Sequence, residues 1–300
     1  MSECIMLMRR NVKLFFKDKG MFFTALITPL ILLALYAIFL KGVYEDAFLA
    51  ILPEEAKIPD AVMRGLVGGQ LVSSLLAVSC VTVAFCSNFL MVQDRANGVI
   101  RDLKMTPVSP AKLAAGYYGA TLFSTLIICY SAAVISLLYL AAVGFYLSAA
   151  DVALLFLDVT LLSLFGVALS SVVNFFLSTQ GQISAVGSIV SSSYGFISGA
   201  YMPISSFGTF LQRVVTLLPG TYGTSLLRAH AMRGALRKMH SEGLSSELTE
   251  ALADSVDMNL YFFGSRVEEY AMYIILISAI ALLVGAYVAL NIFKNKEKND

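Results

Sequence analysis

The chain has 300 residues, of which 58% are hydrophobic and 14% charged, and its mean hydropathy is +0.79. This composition excludes an ordinary soluble domain and indicates a membrane protein. The formal net charge of +1 argues against a nucleic-acid partner, because such partners usually meet a strongly basic surface.

Residues 1–20 predict an amphipathic helix that lies in the membrane surface. At 100° per residue, its apolar face is formed by Ile5, Met8, Val12, Phe15 and Phe16. The opposite face carries Arg9, Arg10, Lys13 and Lys17. The following apolar run has no small-residue cleavage site, so we expect a retained helix and not a signal peptide.

Six uncharged segments are long enough to cross the membrane, which takes about 20 apolar residues for roughly 30 Å of hydrocarbon. They are residues 21–40, 66–92, 113–143, 152–177, 181–201 and 270–293. We therefore expect an all-α membrane protein in which residues 1–300 form a single transmembrane domain with six transmembrane helices.

The distribution of lysine and arginine predicts the orientation of these helices. The N-terminal segment has five basic residues, the 93–112 segment has four, and the C-terminal tail has Lys294, Lys296 and Lys298. If six helices alternate, all three segments lie on one side, and the positive-inside rule makes that side cytoplasmic. The opposite segment, 41–65, has three basic residues, one of them Lys57, against five acidic ones.

The segment 93–112 is short, charged and rich in proline near its end. Its apolar residues Val99, Ile100 and Leu103 can share one face of a helix, and Pro107 with Pro110 should end that helix before the third span. Two interpretations remain open at this point. The helix could rest on lipid headgroups, or it could be the handle by which a separate protein moves the membrane domain.

The long segment 202–269 predicts a re-entrant helical hairpin on the outer side. Two apolar pieces of about 10–14 residues meet at Pro219-Gly220. Each piece is too short to span the bilayer. Residues 241–257, which are polar and acidic, predict a short surface helix after the hairpin.

Hydroxyl and amide side chains collect in two of the predicted spans. They are Ser73, Thr82 and Asn88 in the second, and Ser184, Ser188, Ser191 and Ser192 in the fifth. Such residues suit a passage for an amphiphile, and they equally suit tight packing between helices.

The sequence has few groups of the kind that carry out chemistry. It has no G-x-x-x-x-G-K-[ST] phosphate loop, so we expect no nucleotide hydrolysis by that route and assign no catalytic residue. The four cysteines, His230 and His240 lack metal-ligand spacing, and we expect no metal site and both histidines on the surface.

Asp151 and Asp158 are the only acids within or at the ends of the predicted spans, which argues against a carrier driven by an ion gradient. Asp158 either lines a polar cavity or is a hydrogen-bonded structural acid.

In these features the chain resembles the membrane subunits of ABC-2-type ATP-binding-cassette exporters. The cytoplasmic stretch with Asp94, Gly98, Leu103 and residues 106–109 (TPVS) is similar to the family's coupling helix. The outer stretch is similar to the family's run through residues 198–203 (SGAYMP), 218–222 (LPGTY) and 227–228 (LR).

The resemblance implies that a separate ABC ATPase subunit binds ATP and Mg, that a second membrane subunit completes the exporter, and that the membrane is that of bacteria. It assigns coupling to Asp94, Arg95, Gly98, Arg101, Asp102 and Leu103. It assigns an outer gate to Pro203, Pro219, Tyr222 and Arg228. The expected activity is efflux of an amphiphilic drug, peptide antibiotic or lipid-like product, as in multidrug resistance. The alternative is a sensor or immunity component that works with an ATPase but does not transport.

Overall fold

The structure, a computed structural model, describes residues 3–53 and 58–296. Within these ranges the chain is nearly all helical, as predicted. The helices are α1 (Glu3–Lys17), α2 (Lys19–Leu35), α3 (Lys41–Leu49), α4 (Asp60–Ala96), α5 (Val99–Lys104), α6 (Pro110–Val143), α7 (Ala149–Phe175), α8 (Gln180–Ile197), α9 (Thr209–Val215), α10 (Pro219–Ser241), α11 (Ser246–Ser255) and α12 (Glu269–Lys296). An antiparallel hairpin of β1 (Leu260–Phe262) and β2 (Ser265–Val267), which the sequence patterns did not predict, precedes α12.

Four of the described helices are long and apolar enough to cross a membrane, namely α4, α6, α7 and α12 up to Ile292. They coincide with the predicted second, third, fourth and sixth spans. With 37 residues, α4 is about 56 Å long at 1.5 Å per residue, so it exceeds the hydrocarbon thickness and extends beyond it.

The other two predicted spans are also helical, but each differs from a plain apolar span. Helix α2 contains Pro29, has 17 residues, and continues through a π-helical turn at Tyr36–Leu40 into α3. Helix α8 has 18 residues and ends before Gly199, whose φ of +72° reverses the chain. Helix α8 is not among the described helices that meet the length and hydropathy of a membrane span.

Helix α4 is the centre of the bundle and packs against α2, α6, α7, α8 and α10. Glycines bring backbones together at two of these crossings. A Cβ added at Gly69 would lie 2.6 Å from the carbonyl oxygen of Ala231 in α10, and one at Gly166 of α7 would lie 2.9 Å from that of Cys80. Small residues at such crossings allow the close packing that holds membrane helices together.

The predicted break at Pro219-Gly220 coincides with the start of α10, but the predicted lengths of the two pieces, about 10–14 residues each, are wrong. Helix α9 has 7 residues and α10 has 23. Pro219 lies in the first turn of α10, where its missing N–H would have no helical partner, so it starts a helix and does not break one. Because α10 is buried against α4 and α7, it continues well past its apolar part. Helix α11 confirms the helix predicted within residues 241–257.

Two apolar clusters mark opposite ends of the bundle. The basal cluster joins α1, α5 and the adjacent ends of α4, α6, α7 and α12, and it contains Leu7, Met91, Leu113, Ala114, Tyr117, Phe175 and Tyr287. The distal cluster contains Ile204, Val215, Tyr222, Leu226, Leu260 and Met272. The basic N-terminal helix, the 93–112 segment and the end of α12 thus meet at the basal end. Lys57 and Lys298 lie outside the described residues, as do the side chains of Lys104, Lys294 and Lys296.

Opposite effects are expected for two glycine substitutions, one at the crossing of α4 and α10 and one in α12, where no neighbouring atom of the described residues is close. Gly69→Ala should lower the apparent Tm of the detergent-solubilised protein, because the new Cβ meets the Ala231 carbonyl. In Gly285→Ala the new Cβ has no neighbour within 4 Å, and the substitution should stabilise α12 by about 0.5–1 kcal/mol. Equal shifts of Tm in the same direction would contradict this packing.

Candidate coupling and translocation sites

Asp94, near the end of α4, is turned into the subunit. Its carboxylate accepts hydrogen bonds from Arg10 of α1, at 2.7 and 3.4 Å, and from the Tyr117 hydroxyl of α6, at 2.5 Å. The hydrogen bond with Asp94 raises the pKa of Arg10, so the guanidinium stays charged. Asp94 is buried, with 6% of its surface exposed. Its hydrogen bonds join α4 to α1 and α6 at the basal end.

Arg95 points to the end of α7. Its Nη1 donates to the carbonyl oxygens of Phe175 and Leu177, at 2.6 and 2.5 Å, and its guanidinium lies 5.8 Å from the Phe175 ring centroid. The last carbonyls of a helix lack partners within the helix and attract cations. Arg95 therefore satisfies the C-terminus of α7 and holds it beside α4.

The predicted coupling helix forms as α5, a helix of 6 residues. Gly98, with φ of +81°, provides the left-handed turn that separates α5 from α4. Ile100 and Leu103 pack against the basal cluster, as their spacing predicted, while Arg101 and Asp102 are exposed. The following Met105 is 86% exposed. This short segment has an apolar face fixed to the bundle and a charged face directed outward.

Helix α1 is amphipathic, but its most buried line differs from the predicted face. Leu7, Asn11 and Phe15 are buried, and α1 packs against α6, whereas Ile5 is 51% exposed. Arg10, predicted for the polar face, reaches Asp94. The projection at 100° per residue treats α1 as an isolated helix. It therefore could not predict that part of the surface of α1 packs against α6.

The two hydroxyl-rich sets have different environments. In α4, Ser73 and Thr82 are buried and bond to carbonyls of their own helix, and Asn88 donates to Ser170 and Ser171 of α7 at 3.0 Å each. These contacts favour the helix-packing interpretation for that set. In α8, the side chains of the predicted set are exposed on one face: Ser184, Ser188, Ser191 and Ser192.

Arg228 is a fully buried cation that organises the distal end. Its guanidinium donates to the Gly199 carbonyl and lies 3.6 Å from the carboxylate of Asp257. Asp257 also accepts from the backbone N–H groups of Ile204 and Ser205. Burial raises the pKa of Asp257, against the opposing effects of Arg228 and the two N–H donors.

The other residues predicted for the outer gate lie in the segments next to this ion pair. Pro203 directly precedes the 3-10 turn Ile204–Ser206, and Pro219 begins α10. The Tyr222 hydroxyl donates to the Thr216 carbonyl at 2.6 Å and fixes the turn between α9 and α10. The four predicted residues thus lie in one connected distal region.

The prediction that His230 lies on the surface is wrong. It is 1% exposed in α10, its Nδ1 is hydrogen-bonded to Asp158 of α7, and Tyr273 of α12 donates to the same carboxylate at 2.7 Å. This network bears out the structural interpretation of Asp158. The sequence signal for this network was Asp158, an acid within an apolar run. Its partner His230 is 72 residues away, and no local sequence pattern links the two. His240 is exposed, as predicted.

A family model described as ABC-2 type transporter matches residues 2–231 of the chain. The chain belongs to this family. No curated protein matches it significantly. The matched range contains α1 through most of α10, and so it includes the basal cluster, α5 and Arg228.

As a member of the ABC-2 type transporter family, the chain is a multi-pass membrane protein and a transport permease. Permeases of this family are not themselves catalytic. Such permeases work with an ATPase subunit. The family finding favours a permease over the sensor or immunity alternative.

The contacts of Asp94 predict that this residue holds α1 in place. In Asp94→Ala, Arg10 and Tyr117 lose a charged acceptor whose hydrogen bonds contribute about 1.5–3 kcal/mol, so amide hydrogen exchange in α1 should become at least about tenfold faster. Lys112→Ala is the control, since it removes an exposed ion pair that also holds α1, between Lys112 of α6 and Glu3, worth about 0–1 kcal/mol. Faster exchange in the control than in Asp94→Ala would contradict the assignment.

Proposed function

We propose that the chain is the membrane subunit of an ABC exporter in a bacterial cytoplasmic membrane. A separate ATPase subunit binds ATP and Mg and drives efflux of an amphiphilic compound, such as a drug, a peptide antibiotic or a lipid-like product. The observation that carries this proposal, within the family, is that α5 presents a charged face outward while Asp94 and Arg95 fix the end of α4 beside it.

In the proposed topology, six spans place both termini and α5 in the cytoplasm. The spans are α2, α4, α6, α7, α8 and α12, and α9 with the start of α10 forms the outer re-entrant part. The gathering of α1, α5 and the end of α12 at the basal end supports this arrangement, because these segments carry the basic excess.

Coupling begins at the outward face of α5. Arg101 and Asp102 are the charges available to an ATPase, while Ile100 and Leu103 anchor α5 to the basal cluster. Asp94 and Arg95 act as positioning residues, since their charges are used inside the subunit. A push on α5 would be passed to α4 through the single turn at Gly98, and from α4 to α10 at the Gly69–Ala231 crossing.

The path is proposed to run along the exposed hydroxyl face of α8, which a second membrane subunit would complete. Ser184, Ser188, Ser191 and Ser192 would offer hydrogen bonds to an amphiphile there. The region around Pro203, Pro219, Tyr222 and Arg228 would form the outer gate.

The test is a charge reversal on α5 in the complex reconstituted with its ATPase. The double variant Arg101→Glu/Asp102→Lys should lower substrate-stimulated ATPase activity and ATP-driven transport at least about tenfold, as expected for several charge-assisted contacts. The purified membrane subunit alone should keep its Tm, because both side chains are exposed.

Arg213→Glu is the control for this experiment, because Arg213 is exposed on α9 at the distal end. It should leave ATPase stimulation unchanged. If the α5 double variant transports as well as the unmodified complex, α5 is not the coupling element.

A further inference from the structure

A second feature suited to ligands lies away from the exposed hydroxyl face of α8. It is a cavity of about 520 Å³ between α4, α7, α8, α12 and the start of α10. Its walls are almost wholly apolar, with Phe85 from α4, Phe165 and Leu169 from α7, and Leu283 from α12. Ligand pockets for small molecules commonly measure about 300–1,000 Å³ with mostly apolar walls, so this cavity is of ligand size.

Within the part of the chain that the structure describes, two polar groups without hydrogen-bond partners lie beside the cavity. Tyr194 of α8 and Ser198, the residue that follows this helix, both line the cavity. Neither the Tyr194 hydroxyl nor the Ser198 Oγ has a hydrogen-bond partner among the described residues, and both atoms are buried. Ser198 as a whole is only 2% exposed. A buried hydroxyl without a partner costs about 1–3 kcal/mol, so two of them side by side require an explanation.

The start of α10 also lines the cavity, next to Tyr194. Leu218, Pro219, Gly220 and Thr221 line the cavity there, and the absence of a side chain at Gly220 leaves room for Tyr194. A Cβ added at Gly220 would lie 2.6 Å from the Tyr194 hydroxyl.

Water alone does not suit this space. A buried water needs two to four polar partners, and the lining of this cavity is almost wholly apolar. An apolar cavity with two unpartnered hydroxyls beside it instead suits a molecule that is mostly apolar and carries a small polar group.

We propose that this cavity binds a small amphiphile, with its apolar chain between α4, α7 and α12 and its polar head at Tyr194, Ser198 and the start of α10. Ile189 and Leu282, which are 62% and 75% exposed, flank the cavity and open it toward the surroundings of the bundle. The ligand could be a membrane lipid or a compound carried by the permease, since both have this chemistry. The site stands on its own geometry and does not depend on the direction of transport.

The absence of tryptophan from the chain makes binding measurable by fluorescence. Phe165→Trp places a single tryptophan in the cavity wall, and Phe123→Trp places one on α6 at a position that is 47% exposed and not part of the cavity. Each variant in nanodiscs is titrated with a brominated ten-carbon alcohol, and separately reconstituted with increasing fractions of brominated phosphatidylcholine.

For the site as proposed, quenching of the cavity tryptophan saturates with one of these probes and is reversed by its unbrominated form. The Phe123→Trp reporter should show only quenching proportional to the amount of probe. Saturation with the alcohol identifies a compound that enters from outside the lipid pool, and saturation with phosphatidylcholine identifies a bound lipid. Proportional quenching of both reporters by both probes would overturn the proposal.

The proposed contacts of the polar head with Tyr194 and Ser198 are tested in the Phe165→Trp background. Tyr194→Phe with Ser198→Ala removes both hydroxyls without adding volume, and it should weaken probe binding about tenfold, as expected for two hydrogen bonds. The matched control, Tyr270→Phe with Ser131→Ala, changes two exposed residues away from the cavity and should leave binding unchanged. Both double variants should keep their Tm within a few degrees, since the cavity hydroxyls have no described partner to lose. Equal affinities in both double variants would show that these hydroxyls do not hold the head group.

Discussion

The burial of α4 is the constraint on which the rest of the structure depends. A helix surrounded by α2, α6, α7, α8 and α10 must be apolar and narrow, and glycine at its crossings is what allows the neighbouring backbones to approach. Because α4 is one continuous helix from Asp60 to Ala96, its two ends cannot move independently. In the proposed function, a displacement at the basal end would therefore be passed along α4 to the distal end.

Buried charges fix both ends of this bundle, and each has a partner. Asp94 is held by Arg10 and Tyr117 at the basal end, and Arg228 is held by Asp257 and the Gly199 carbonyl at the distal end. Charged groups removed from water cost several kcal/mol each unless they are paired, and removing one partner costs about 3–5 kcal/mol. Such pairs tolerate few geometries, so they define how the helices fit at each end while the apolar middle supplies most of the packing.

How much the sequence predicts depends on whether the signal is local. Apolar length located α4, α6, α7 and α12, and the spacing of Ile100 and Leu103 predicted which side of α5 packs inward. Contacts between distant segments left no comparable trace. The pairing of Asp158 with His230 spans 72 residues, and the inward direction of Asp94 depends on α1 and α6 together. The length of α10 was underestimated for the same reason. Its second half lacks the apolar run that marks a helix facing lipid, and contacts with α4 stabilise it instead.

The most direct test of the central claim asks what α5 touches in the assembled transporter. A photo-crosslinking amino acid is placed at Met105, which is 86% exposed beside α5, and in a second preparation at Phe263, which is 64% exposed in the hairpin before α12. Irradiation of the complex with its ATPase subunit should join that subunit to the chain from position 105 and not from position 263. Crosslinking from 263 instead, or only to lipid from 105, would contradict the assignment of α5 as the point where the ATPase acts.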